Sequence, residues 1–179
     1  YNTSSGIEAG ITLNTVVADG NLESGSARGM RLISMGPISI NTGFSNRNRL
    51  GGVEVNNSAS TKFAGVTING LTIQDNLGSW PGLSIETTGV VNLTNIVSTG
   101  NGIGSSAAGI EVDNCQDSSM ICAKNANVTL SGTLNQFSNN SGNGLTIFRG
   151  GLITLNNFTA FKNTGEGLYL YNDYVSSLG

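Results

Sequence analysis

Residues 82–101 read GLSIETTGVVNLTNIVSTGN, and residues 144–167 read GLTIFRGGLITLNNFTAFKNTGEG. Each stretch opens on Gly followed by apolar-x-apolar: Gly82-Leu83-Ser84-Ile85 and Gly144-Leu145-Thr146-Ile147. A second run of the same pattern follows, Val91-Asn92-Leu93 in one and Ile153-Thr154-Leu155 in the other. Alternation at period two marks a short strand with one buried face. The opening recurs at Gly6, Gly29, Gly52, Gly109 and Gly167, so that successive openings lie 23, 23, 30, 27, 35 and 23 residues apart. Second runs also occupy 11–13, 38–40, 66–68 and 128–130. A less regular third run closes on Asn21, Asn46, Asn76, Asn101, Asn140 or Asn163.

Three short strands in as few as 23 residues, joined by turns too short for crossover helices, cannot build an ordinary parallel sheet. They can wind as a solenoid, each strand pairing with its equivalent one coil away at about 4.8 Å. The expected fold is all-β: a single-stranded parallel β-helix of about seven coils, one per opening glycine, with three strands each. Equivalent residues then stack. The closing asparagines are expected to form a side-chain ladder at one corner, because Asn tolerates left-handed backbone and its amide bonds to the next Asn. Glycine is expected at the other corner for its tolerance of positive φ.

Composition agrees with a rod of ladders. The 179 residues include 26 Gly and 24 Asn but only 2 Pro, and 11% are charged, against about 25% in ordinary domains. A net charge of −3 excludes a basic nucleic-acid binder, and no run approaches the roughly 18 apolar residues of a membrane span. Histidine is absent, which removes the commonest general base and metal ligand.

Cys115 and Cys122, in CQDSSMIC, match no zinc or redox spacing. A short-loop disulfide in an oxidising, extracytoplasmic setting is the expectation, with two buried thiols as the other reading. Sequons at Asn2, Asn56, Asn92, Asn127, Asn139 and Asn157 follow from the abundance of Asn, Ser and Thr.

The units at 82–101 and 144–167 resemble right-handed parallel β-helix repeats of the pectate-lyase-like superfamily. They are most similar to the Asn/Gly-rich arrays of bacterial secreted and surface proteins. The resemblance covers nearly the whole chain and implies a right-handed coil. It is specific for fold and not for function, since lyases, hydrolases, tailspikes and adhesins share the solenoid.

Residues 1–179 are expected to form one β-helix segment, with loop insertions at about 56–64 and 113–126, both at the corner after the first strand. The sequence enters at Asn2 and leaves beyond Asn172 in mid-unit, with no amphipathic capping segment. The expected neighbours are therefore further coils of a longer array, or copies of the chain stacked end to end.

Outward residues of the first strand fall on two ladders, Glu8, Arg31, Glu54, Ser84, Glu111, Thr146, Tyr169 and Gly10, Ile33, Asn56, Glu86, Asp113, Phe148, Tyr171. Phe148, Tyr169 and Tyr171 are the candidate sugar-binding residues, because exposed aromatic rings can stack on saccharides. Glu54, Glu86, Glu111 and Asp113 make an acidic patch, in which Glu86 and Asp113 are the candidate calcium ligands; no other cofactor is expected. The resemblance implies a calcium-assisted lyase with an arginine base, a role onto which only Arg149 maps, and no lyase motif surrounds it. Catalytic residues are therefore not assigned. The second-strand ladder of Thr12, Ser39, Thr67, Asn92, Thr129 and Thr154 reads as β-branched and hydroxyl residues suited to exposed strands. Trp80, in LGSWPG, reads as a lid on a turn.

The expected function is an extracellular structural or adhesive rod, part of a repetitive surface protein or of an end-to-end filament. The alternative is a carbohydrate-binding or polysaccharide-cleaving β-helix acting through its acidic and aromatic face. Expected partners are further coils, copies of itself or a cell-surface glycan, with no nucleic acid.

Overall fold

The period-two runs become strands wherever an apolar pair can point inward and a polar residue outward. The structure, a computed structural model, describes residues 8–23, 25, 27–114, 126–148 and 151–172. All its regular elements are parallel strands. Six of them stack as one sheet in the order β2 (Arg28–Ile33), β4 (Gly51–Asn56), β6 (Leu83–Glu86), β9 (Ile110–Asp113), β12 (Leu145–Phe148) and β15 (Leu168–Tyr171). The other sheet holds β1 (Ile11–Asp19), β3 (Ile38–Asn46) and β5 (Val66–Gln74), followed by the pairs β7 (Val91–Thr94) with β8 (Val97–Thr99), β10 (Val128–Ser131) with β11 (Asn135–Ser138), and β13 (Ile153–Leu155) with β14 (Phe158–Phe161). The chain is a parallel β-solenoid. Among the described residues no helix is long and apolar enough to cross a membrane.

Two expectations about the coils need correction. Seven openings suggested seven coils; the six stacked strands of the first sheet bound about five complete turns, because the opening at Gly6 lies outside the described residues. The three-strand coil holds only for the later part. In β1, β3 and β5 the second and third runs are one nine-residue strand, bent at Thr15, Thr42 and Gly70, where φ is +52°, +62° and +69°. From Asn95 (φ +55°) onward the same bend interrupts the pairing, and the two runs separate.

Between the sheets lies a core built from the inward member of each alternation. Ile38, Ile40, Val66, Ile68, Val91, Leu93, Val128 and Leu130 come from one sheet, and Val55, Leu83, Ile85, Ile110, Val112, Leu145 and Ile147 from the other; all are at most 1% exposed. Burial of each such side chain stabilises the coil by about 1.5–3 kcal/mol. Leu71, Ile73, Ile96 and Phe137 fill the third side.

The asparagine ladder runs Asn21–Asn48–Asn76–Asn101–Asn140–Asn163, with Nδ2 of each rung donating to Oδ1 of the next at 2.7, 2.9, 2.8, 3.1 and 3.0 Å. The rung is Asn48, not the expected Asn46, which ends β3 beside Asp19 and Gln74. Each rung's backbone N–H also donates to the same Oδ1. From the second rung on, Nδ2 donates in addition to a carbonyl three residues before the previous rung: Ala18, Ser45, Ile73, Ser98 and Phe137. Left-handed backbone falls on the residue before the rung instead of on the rung: Gly20, Arg47, Asp75, Gly100, Asn139 and Lys162 have φ between +53° and +69°. The ladder therefore selects asparagine for its amide.

A second buried polar row, unforeseen in the sequence, seals the corner after the first strand. Ser34 Oγ donates to Ala9 O, Asn57 Nδ2 to Ala64 O, Thr87 Oγ1 to Ala64 O and Asn114 Nδ2 to Ala126 O. All four side chains are at most 1% exposed, and each spends its donor on a corner carbonyl instead of leaving it unpaired.

Candidate functional site

Strand register places both outward ladders of the first sheet as the alternation requires. Arg31, Glu54, Ser84, Glu111, Thr146 and Tyr169 are successive partners, as are Ile33, Asn56, Glu86, Asp113, Phe148 and Tyr171. Yet this face is not evenly open. Glu54, Ser84 and Thr146 are at most 6% exposed, because the loops at 77–81 and 102–108 lie along one edge of the sheet.

Toward the N-terminal coils the face is closed. Arg28 Nε lies 3.1 Å and Arg31 Nε 3.0 Å from Glu54 Oε2, and the Arg28 guanidinium sits 4.0 Å from the centre of the Trp80 ring. Trp80 is thus a lid, as expected, but over an ion cluster. Glu54, 5% exposed and neutralised by two arginines, does not belong to an open acidic patch. Glu8 does not extend the row either. Its carboxylate accepts from Ser60 Oγ, Thr61 N, Thr61 Oγ1 and Lys62 N at 2.7–3.1 Å, so the insertion after β4 folds back against a coil 52 residues earlier. These bonds hold the Glu8 carboxyl below its ordinary value, the Thr61 hydroxyl most of all.

Toward the C-terminal coils the face opens into a cleft of about 310 Å³, lined by Ser105, Glu111, Asn143, Thr146, Phe148 and Tyr169 among others. It falls where the edge loop shortens, from the seven residues 102–108 to the three residues 141–143. The longer loop is fastened: Ser105 Oγ donates to Gly78 O at 2.6 Å and accepts from Ala107 N at 3.2 Å. On the other side Asn143 Nδ2 donates to Thr146 Oγ1 at 3.1 Å, while Asn143 Oδ1 accepts from Glu166 N. Both walls of the cleft are thus held by the protein's own hydrogen bonds.

Glu111 is the distinctive group. Burial pushes its carboxyl above the ordinary glutamate value, and the neighbouring Asp113 and Glu86 carboxylates push the same way. Among the described residues no hydrogen bond or ion pair reaches its carboxylate. Phe148 and Tyr169, with ring centres 6.0 Å apart and planes at 69°, form an edge-to-face pair in the same wall. Phe148 and Tyr171 are register neighbours, as expected, but Phe148 packs its ring against Tyr169.

Glu86 and Asp113, the candidate calcium ligands, are also register neighbours. Glu86 Oε2 accepts from Asn56 Nδ2, and among the described residues no group of three or more His, Cys, Asp or Glu is placed to hold a metal ion. Cys115, Cys122 and Arg149 lie outside the described residues, as does most of the insertion that carries the cysteines. Comparison of the chain with protein-family models, with curated proteins and with solved structures finds no match.

Proposed function

We propose that this chain is a load-bearing solenoid rod of an extracellular protein, akin to the Asn/Gly-rich arrays of the pectate-lyase-like superfamily that its repeats resemble. The observation that supports this most is the ladder from Asn21 to Asn163, in which every described rung is bonded in the same sense to the next. Rigidity is what such a ladder supplies: each corner amide joins two coils, and each coil contacts only its neighbours. The partners of this reading are further coils or further copies of the chain. Protease treatment of intact cells of the source organism tests it. Digestion of the chain on unbroken cells supports the reading; protection until the cells are lysed overturns it.

A second reading is favoured by the cleft. An aromatic pair beside a carboxylate and a fixed hydroxyl, at the small end of the roughly 300–1,000 Å³ of ligand sites, suits one or two saccharide rings. On this reading the rod carries a glycan-binding site on its first-strand face, formed by Glu111, Thr146, Phe148 and Tyr169. Loss of oligosaccharide binding in Phe148→Ala and Tyr169→Ala variants would support it; binding unaffected by both would remove it.

A further inference from the structure

The charge around the cleft narrows the ligand. The Glu111 carboxylate is half-buried, and its register partners are Ser84 and Thr146, which bring no positive charge. Glu86 and Asp113 flank it on the parallel ladder. The arginines of this face among the described residues, Arg28 and Arg31, gather on Glu54, two rungs away and beyond Trp80. A partly desolvated carboxylate held among others of its kind recovers the lost solvation when a cation enters. Aromatic rings in the same wall attract that cation further and cover the apolar face of its carrier.

We propose that the cleft takes a saccharide bearing a protonated amine, its ring packed on Phe148 and Tyr169 and its ammonium donating to the Glu111 carboxylate. This rests on the carbohydrate reading above and adds the substrate class to it. The same geometry disfavours an anionic polyuronate, because a carboxylate it brought into the cleft would face the Glu111 carboxylate in its wall. A neutral sugar keeps the ring contact but leaves the carboxylate with hydroxyl donors only.

Calorimetric titration of the full chain with three probes tests the proposal: a fully deacetylated chitosan tetramer with its amines protonated, its N-acetylated counterpart, and a galacturonate tetramer. The deacetylated tetramer is expected to bind about tenfold more tightly than the acetylated one, the size of one charge-assisted hydrogen bond, with the galacturonate tetramer weakest. Glu111→Gln, isosteric and free of the buried charge, is expected to erase that gap, and circular dichroism verifies that the variant is folded. Equal affinity for the two chitin-derived probes, a gap that survives Glu111→Gln, or preference for galacturonate overturns the amine assignment while the carbohydrate reading stands. Binding of none of the three overturns both.

Discussion

Gly82 lies so close to Asn101 that a methyl group on the glycine would meet the amide Cγ and Nδ2 at 2.7 Å, and the Gly109 carbonyl oxygen at 2.6 Å. The same approach pairs Gly29 with Asn48, Gly52 with Asn76, Gly109 with Asn140 and Gly144 with Asn163. None of these opening glycines is at positive φ, so the expectation that they serve a left-handed turn is corrected. They are glycine because the asparagine that closes the same unit, brought round by one winding, occupies the space a side chain would take. The two most regular signals in the sequence are the halves of one contact.

Gly82→Ala should therefore destabilise the coil by about 2–3 kcal/mol, the cost of overpacking against backbone and a fixed amide. Gly25, where a Cβ would meet nothing within 4 Å, is the control, with Gly25→Ala expected within about 0.5 kcal/mol of the parent. Urea unfolding of the two variants measures both. Equal effects would show that the Gly82–Asn101 approach carries no constraint.

Replacement of Asn76 and of Asn46 separates the true rung from its neighbour in sequence. Asn76 is fully buried; its amide donates to Asn101 Oδ1 and Ser45 O, and its oxygen accepts from Asn48 twice. Asn76→Ala strands several of these groups at about 1–3 kcal/mol each, so a loss of roughly 3–4 kcal/mol is expected. Asn46 Oδ1 is buried without a hydrogen-bond partner, and Asn46→Ala should cost less than about 1 kcal/mol. Chemical denaturation midpoints check the order, and a reversed order would refute the ladder as described.

Glu8 gives the fold an acid-sensitive fastening. Its folded-state value is lowered by the bonds from Thr61, Ser60 and Lys62, so the unfolded chain binds the proton more readily and stability rises with pH through the interval between the two values. The contribution is complete above the ordinary glutamate value of 4.5 and fades as pH falls below it through the lowered one. Amide exchange at Thr61 and Lys62 should accelerate over that interval relative to strand amides. In Glu8→Gln the acid-dependent step should be absent; its persistence would place the titrating group elsewhere.

Trp80 is the only tryptophan, and its ring faces Arg28 at 4.0 Å. A double-mutant cycle between Arg28→Met and Trp80→Leu should return a coupling of about 0.5–1 kcal/mol, the worth of a partly exposed cation–π contact. A coupling indistinguishable from zero would reduce Trp80 to a steric cover.

Register and the outward ladders from Arg31 and Ile33 onward were legible in the sequence because a solenoid converts spacing directly into neighbourhood: Arg31 meets Glu54 and Glu86 meets Asp113 as counted. The rung at Asn48 was legible too, but only from the other direction. Counted backward from the opening glycine, the edge loop varies and Asn46 fits as well; counted forward from the inward residue of the second strand, Leu13, Ile40, Ile68, Leu93 and Leu155 each reach their rung after eight residues. The cleft was half legible. Its aromatic and acidic residues are on the ladders, but the walls come from edge loops whose path no periodicity records. The cover that Trp80 places over the Glu54 cluster is a product of those loops.

From Leu130 to its rung at Asn140 the chain takes ten residues where the other coils take eight. The surplus is absorbed at Thr133 and Leu134, whose amides both donate to Asn95 Oδ1. Beyond it Gln136 meets Val97 and Asn140 meets Asn101, as though nothing had been added. A miscount is thus forgotten within half a winding, because alignment is decided afresh by each layer against the one below. Such a molecule can lengthen by splicing in windings of unequal size, and the old layers need not be respelled to receive them.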